Sequence, residues 1–295
     1  MLTVSLTAIL LSLGCGVGFA GADYFRKAVP AACANALVLF YFMLGQVPIL
    51  GAVLLYTGDG RFTTGYWLPG LVDVALGVGA NLMFVAAVRR SPLSLMIPLL
   101  ALVPVLTTLA AAIVLGEIPS LNQMSGTVLI VIGLFALYSP SGQGVRLSAT
   151  LRALRHEPGV PPMLITIIGW SLTPVFDKLC IAASSVSVHG LAQVIAILLV
   201  SGSWVLLTNG IRGFVPPTGS AVPLVGAAIS AGVGYGLQLA AYQATMVAVV
   251  EGLKRVTGLL ASLVVGRIMF AEPLTTPKLI GIAILAVGVP LILFG

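Results

Sequence analysis

The chain has 295 residues, 59% hydrophobic and only 7% charged, with a mean hydropathy of +1.15 and a formal net charge of +6. A soluble domain carries roughly a quarter charged residues, so the composition excludes one and describes a membrane protein. No segment alternates as a membrane β-barrel strand does, and no aromatic-interleaved basic run suits nucleic acid. A helical span needs about 20 apolar residues to cross a hydrocarbon layer about 30 Å thick. In chain order, apolar runs predict spans near 2–22, 33–56, 67–88, 93–115 and 122–139. A second set follows near 162–182, 188–208, 221–243, 246–270 and 275–294. The first run, MLTVSLTAILL, lacks the basic lead of a cleaved signal peptide and reads as a retained span.

The long polar break, residues 139–162, separates a first unit (1–140) from a second (162–295), with a linker at 141–161. Within it Leu147, Leu151 and Leu154 recur at helical spacing opposite Arg152 and Arg155, a pattern for a short interfacial helix. A solvated linker fits as well. Sliding the chain on itself by 155 residues brings Gly77, Gly79, Leu82 and Ala86 onto Gly232, Gly234, Leu237 and Ala241. Glu117, Gly126 and Gly133 fall on Glu272, Gly281 and Gly288. Five spans per half is an odd number, so the halves enter the bilayer from opposite sides. The fold class is therefore an all-α membrane protein: ten transmembrane helices as two inverted five-helix repeats around a central cavity.

The segment SPLSLMIPLLALVPVLTTLAAAIVLGEIPSLNQMSGTVLIVIGLFAL resembles the fourth-to-fifth helix signature of EamA-type members of the drug/metabolite transporter superfamily. GRIMFAEPLTTPKLIGIAILAVGV is similar to its second copy. The resemblance implies a transporter of amino acids, drugs, metallophores or other metabolites, with a cavity lined by spans 1, 3, 4, 6, 8 and 9. Small multidrug exporters of the wider superfamily carry a Glu in their first helix. TAILLSLGCGVGFAGA here has no charge, which argues against their cation exchange.

The ninth span contains VVEGLKRVTGLL, with Glu251, Lys254 and Arg255 inside the membrane. A charge at a helix centre costs about 2.5–3.5 kcal/mol on insertion scales. Glu251 and Arg255 share a face, with Lys254 beside it, and one acid neutralises only one base. The surplus positive charge must face a cavity, a partner acid or an anionic substrate. The 155-residue offset places apolar Met96, Leu99 and Leu100 in the first half. The cluster thus stands outside the repeat, as a substrate site would.

Tyr235, Gln238 and Tyr242 share a face of span 8 and, with Asn81 and Trp170, complete the candidate substrate-binding set; Gln243 lies beside them. Trp170, taken to open span 6, serves equally as interfacial anchor or pocket wall. Glu251, Asp73 and Asp177 are the acids able to carry a coupling proton. His189, near a span boundary with Gln193 four residues on, reads as solvated or capping. Glu117 and Glu272, each just before or near a proline, read as architectural carboxylates bonding N–H groups of the next turn. Asp23, Arg26 and Lys27 read as an interfacial cluster following span 1, with Lys27 and Lys178 a repeat-related pair. Cys15, Cys33 and Cys180 read as buried small apolar residues. Neither His156 nor His189 neighbours a cysteine, so no metal is expected.

No GxxxxGK[ST] occurs, so transport is driven by a gradient or facilitated. HExxH and GxSxG are absent, which argues against an enzyme, and no segment reads as a channel filter. The sequence therefore points to a secondary exporter of a small metabolite bearing a carboxylate or phosphate, without cofactors. The alternative is a translocator of a lipid-linked intermediate. The setting is a bacterial plasma membrane, with the lipid bilayer and a small molecule as partners and the protein a monomer or homodimer. Loops after odd-numbered spans hold Arg26, Lys27, Arg89, Arg90, Arg146, Arg152, Arg155, Arg212 and Lys278, whereas even loops hold Arg61, with Lys178 near one. The positive-inside rule then puts both termini outside.

Overall fold

The computed structural model describes residues 4–30, 32–91, 96, 99–137, 157–270 and 276–294, and among them there is helix and no strand. The α-helices are α1 (Leu6–Ala28), α2 (Asn35–Leu44), α3 (Val47–Thr57), α4 (Trp67–Arg90) and α5 (Val103–Val114). They continue as α6 (Leu121–Leu137), α7 (Val160–Ala183), α8 (Val186–Asn209), α9 (Ala221–Ala244), α10 (Val247–Phe270) and α11 (Thr276–Phe294). Among the described residues, six stretches, Leu6–Arg26, Asn35–Thr57, Thr64–Phe84, Val160–Ala183, Val186–Asn209 and Ala221–Ala244, are long and apolar enough to cross a membrane. The protein is an all-helical membrane protein. The 141–156 part of the linker, His156, Glu272 and the side chains of Asp23 and Lys27 lie outside the described residues.

Local chemistry sets several ends. Ser5 and Ser185 cap α1 and α8 by accepting from the N–H groups of Ala8 and Val188, each at 3.2 Å. Gly58, at φ 61°, ends α3 in the left-handed conformation. The second span is broken rather than continuous. Pro48, in the first turn of α3, cannot donate to the carbonyl four residues back, and its ring crowds that carbonyl. The chain turns at Gly45 and Gln46, and the Gln46 amide donates to Phe42 O at 2.9 Å, satisfying backbone that the break exposes. At its other end, α1 is longer than predicted, so Arg26 lies in its last turns rather than after it.

The closest helix pairs are α1 with α9, α4 with α7, and α6 with α11. All three run antiparallel, and small residues let the backbones meet. A Cβ on Gly18 would lie 2.7 Å from Gly234 Cα, and one on Gly169 2.7 Å from Ala80 Cβ. A Cβ on Gly126 would lie 2.7 Å from Gly288 O, and one on Gly133 3.1 Å from Gly281 O. Exchanging each of the first five spans with its counterpart in the last five maps α1–α9 onto α4–α7. It also maps α1–α10 onto α5–α7, another pair in contact. In the α6–α11 pair the exchange turns the Gly126–Gly288 contact into the Gly133–Gly281 one.

Candidate functional site

Glu251 and Lys254 lie one helical turn apart on α10 and form an ion pair. The Tyr242 hydroxyl donates to Glu251 Oε1 at 2.6 Å, and Lys254 Nζ donates to Gln238 Oε1 at 2.9 Å. Lys254 also lies 5.6 Å from the centroid of the Phe19 ring, within cation–π range. Glu251 is 1% exposed. The predicted Glu251–Arg255 alignment is corrected: Lys254 takes the acid. Its longer, flexible stem swings across to the α9 face carrying Gln238 and Tyr242. Arg255 has a buried Nε without a hydrogen-bond partner, and Glu251 Oε2 is likewise buried and unpartnered. Two bases against one acid leave a net positive charge in this part of the membrane.

A second polar centre lies between α4, α7 and α8. His189 Nε2 approaches Asp177 Oδ1 at 2.8 Å and Asp73 Oδ2 at 3.7 Å. The Tyr235 hydroxyl donates to Asp177 Oδ1 at 2.9 Å, and Tyr66 Oη lies 3.0 Å from His189 Nδ1. One imidazole nitrogen and two carboxylate oxygens fall within 4.8 Å of one another, all buried, close enough to share a cation. Both oxygens of Asp73 lack hydrogen-bond partners. The reading of His189 as solvated is overturned: the residue is fully buried. Its place one turn into α8 suggested a boundary, but the 58–66 connection folds over it. Ser185 Oγ bonds Asp59 O at 2.6 Å, and Thr63 bonds the Ala183 carbonyl.

The two centres share α9. Tyr235 serves Asp177, while Gln238 and Tyr242 serve Lys254 and Glu251, so the predicted polar face of this helix is divided between them. Gln243 is exposed. Asn81 and Trp170 contact neither centre by the bonds described. The Asn81 amide donates to Gly77 O at 2.8 Å, and its side chain lines a crevice with Arg26, Asn35 and Phe42. Arg26 stacks 5.3 Å from the Phe42 ring and 5.6 Å from the Phe84 ring. Trp170 lies in the middle of α7 against Phe84, with centroids 4.9 Å apart, so it does not open that helix. Cys15, Phe19 and Arg26 follow one stripe of α1, running from the Gln238–Lys254 contact to this crevice.

Glu117 is corrected in its partners. It pairs with Lys178 of α7 and accepts from Val247 N, at the start of α10, at 2.9 Å. Lys178 Nζ also donates to Thr245 O at 2.8 Å. The carboxylate thus bonds across the molecule rather than to its own next turn, because α5 ends beside the α9–α10 connection. Outside the spans, Arg61 donates to Asp59 at 3.0 and 3.3 Å. That hydrogen bond holds the Asp59 carboxyl below its ordinary range and raises Arg61.

His189 is the functional candidate that the sequence misplaced. A histidine and two aspartates far apart along the chain give no local signal. The one available hint was that three titratable residues each fell in or beside an apolar span.

Residues 3–139 match the model of the EamA-like transporter family. No curated protein matches the chain. A crystal structure described only as "Crystal structure of protein" is similar at 17% identity and a TM-score of 0.76, over 96% of this chain and 95% of that one. At that identity the likeness shows the fold.

Proposed function

We propose that this chain, whose residues 3–139 match the EamA-like transporter family, is a membrane transporter of small molecules that exports an organic metabolite bearing a carboxylate or phosphate. Arg255 carries the reading. It lies on α10 one turn from Glu251, its Nε is buried without a partner, and Lys254 pairs with Glu251. A half-buried guanidinium with an unsatisfied buried Nε is costly, and an anionic group arriving from solution relieves that cost. A guanidinium grips such a group in two places, with Lys254, Gln238 and Tyr242 beside it to orient the rest. The crevice at Arg26, Asn35 and Asn81 serves as an approach path along the Phe19 stripe of α1.

Alternating access between two inverted five-helix halves is the mechanism we favour. Its support is the exchange of helix contacts between the halves, with the charged cluster near their junction. Export is taken from the exporters that the sequence resembles, and the setting is a bacterial plasma membrane.

The test is flux in proteoliposomes with a panel of radiolabelled amino acids, hydroxy acids and sugar phosphates. Wild type moves at least one of them. Arg255→Gln abolishes that flux while inserting and purifying normally, and Arg255→Lys retains part of it. Normal flux in Arg255→Gln at normal protein level would sink the anion site.

A further inference from the structure

We infer that Asp73, Asp177 and His189 form a proton-binding site that couples transport to a pH gradient, separate from the charges at Glu251, Lys254 and Arg255. The inference rests on the transporter reading. It begins from Asp73, which is fully buried in α4 and has no hydrogen bond to either oxygen. A bare carboxylate in such a place is too costly to persist, so it holds a cation. Every titratable neighbour on the packed elements is identifiable. Asp177 and Cys180 come from α7, His189 from α8, Tyr235 from α9 and Tyr66 from the turn before α4. Lysine and arginine are absent from this described set, so no fixed positive charge balances the two acids.

The geometry points to a proton. His189 Nε2 and Asp177 Oδ1 are 2.8 Å apart, and two lone pairs repel at that separation, so one proton already lies between them. A second proton on Asp73, 3.7 Å from the same nitrogen, brings the centre to a single negative charge held by His189 and the Tyr235 hydroxyl. The carboxyl of Asp73 takes that proton from solution and gives it back.

The surroundings supply access and coupling. Tyr66, on the Nδ1 side of the imidazole, stacks against Phe62, which is exposed beside the Asp59–Arg61 turn. On the inner side, Tyr235 and Tyr242 place both centres on one rigid helix, α9. Proton uptake at Asp73, felt by Asp177 and its Tyr235 bond, and anion capture at Arg255 therefore bias the same element. The site lies outside the repeat: the 155-residue offset puts Ala228 opposite Asp73, and the 151-residue offset that pairs Lys178 with Lys27 puts Arg26 opposite Asp177 and Val38 opposite His189. One proton entering from the side of the 58–66 turn, with the metabolite leaving toward it, makes an antiport.

Purified full-length wild type and Asp73→Asn are compared by infrared difference spectroscopy between acidic and alkaline pH. Wild type shows the C=O band of a protonated carboxyl, and Asp73→Asn loses it; an unchanged band overturns the proton site. Zinc chloride that raises the unfolding temperature of wild type but not of Asp73→Asn would instead make this a metal site, and the proposal falls. In proteoliposomes with the same metabolite panel, an imposed pH gradient stimulates wild-type flux and Asp73→Asn loses the stimulation. Retained stimulation overturns the coupling and leaves the transporter intact. If wild type moves nothing in the panel but the band behaves as stated, the transporter reading falls and the proton site stands. Should Asp73→Asn fail to fold, Tyr66→Phe shifts the midpoint of the wild-type band, and no shift overturns the site.

Discussion

Glu117 shows how one side chain can hold three elements. Its carboxylate meets the Lys178 ammonium of α7 and the first N–H of α10, while Lys178 reaches the Thr245 carbonyl that ends the α9 connection. Both groups are largely shielded from water, so their hydrogen bonds fall in the charged class worth about 1.5–3 kcal/mol, discounted for partial exposure. Glu117→Gln keeps an acceptor for Val247 N but leaves Lys178 without its counter-charge. It should lower stability by about 1–2 kcal/mol, read as the unfolding midpoint in detergent. Adding Lys178→Met removes the stranded charge and should recover part of the loss, since contacting residues are not additive. Equal midpoints for the wild type and Glu117→Gln would show that the pair contributes nothing to the fold. The Glu251–Lys254 pair obeys the same physics with a different outcome, because Arg255 remains beside it without an acid.

Among the helices, small residues determine which surfaces meet. In lipid there is no hydrophobic drive between helices, so close backbone approach and dispersion do the work. Gly18 on α1 faces the backbone of Gly234 on α9, and an added Cβ would come within 2.7 Å of Cα and 2.8 Å of N. Backbone cannot rotate away as a side-chain tip can. Gly18→Ala should therefore cost about 1–3 kcal/mol and lower the unfolding temperature. Gly51, within α3, has nothing within 4 Å of its added Cβ. Gly51→Ala should be neutral or mildly stabilising, by up to about 1 kcal/mol from helix propensity. Similar unfolding temperatures for the two variants would contradict the close α1–α9 contact. The α2–α3 break belongs at this scale too: a continuous apolar run concealed it, although Pro48 marked its position.

For the molecule in its membrane, both polar centres and the Glu117–Lys178 pair lie toward the side of the even-numbered loops, while Arg26 and Arg90 close helices α1 and α4 at the other. Lys and Arg in short loops favour the cytoplasm. The odd-loop side should then be inside, with both termini and the proton entry outside. A C-terminal fluorescent fusion that matures only in the cytoplasm should stay dark, and a single cysteine replacing Arg61 should react with an impermeant maleimide on intact cells. A bright fusion with an unreactive position 61 reverses the orientation, and the antiport direction with it.

Helical class and membrane character were legible in the chain because each depends on local composition set against a slab of fixed thickness. Apolar runs, the 155-residue repeat and the Pro-to-Glu signature report on such local properties. The chain also exposed Glu251, Lys254 and Arg255, since charges inside a span stand out wherever they point. Their partners were another matter. Whether Lys254 or Arg255 takes Glu251, and whether Tyr235 serves that centre or Asp177, depends on the rotation of each helix about its axis. Glycine contacts such as Gly18–Gly234 and Gly126–Gly288 set those rotations between segments far apart in sequence. His189 is the clearest case: beside a loop in sequence, it is buried between two aspartates because packed helices and a folded-over turn exclude water from it.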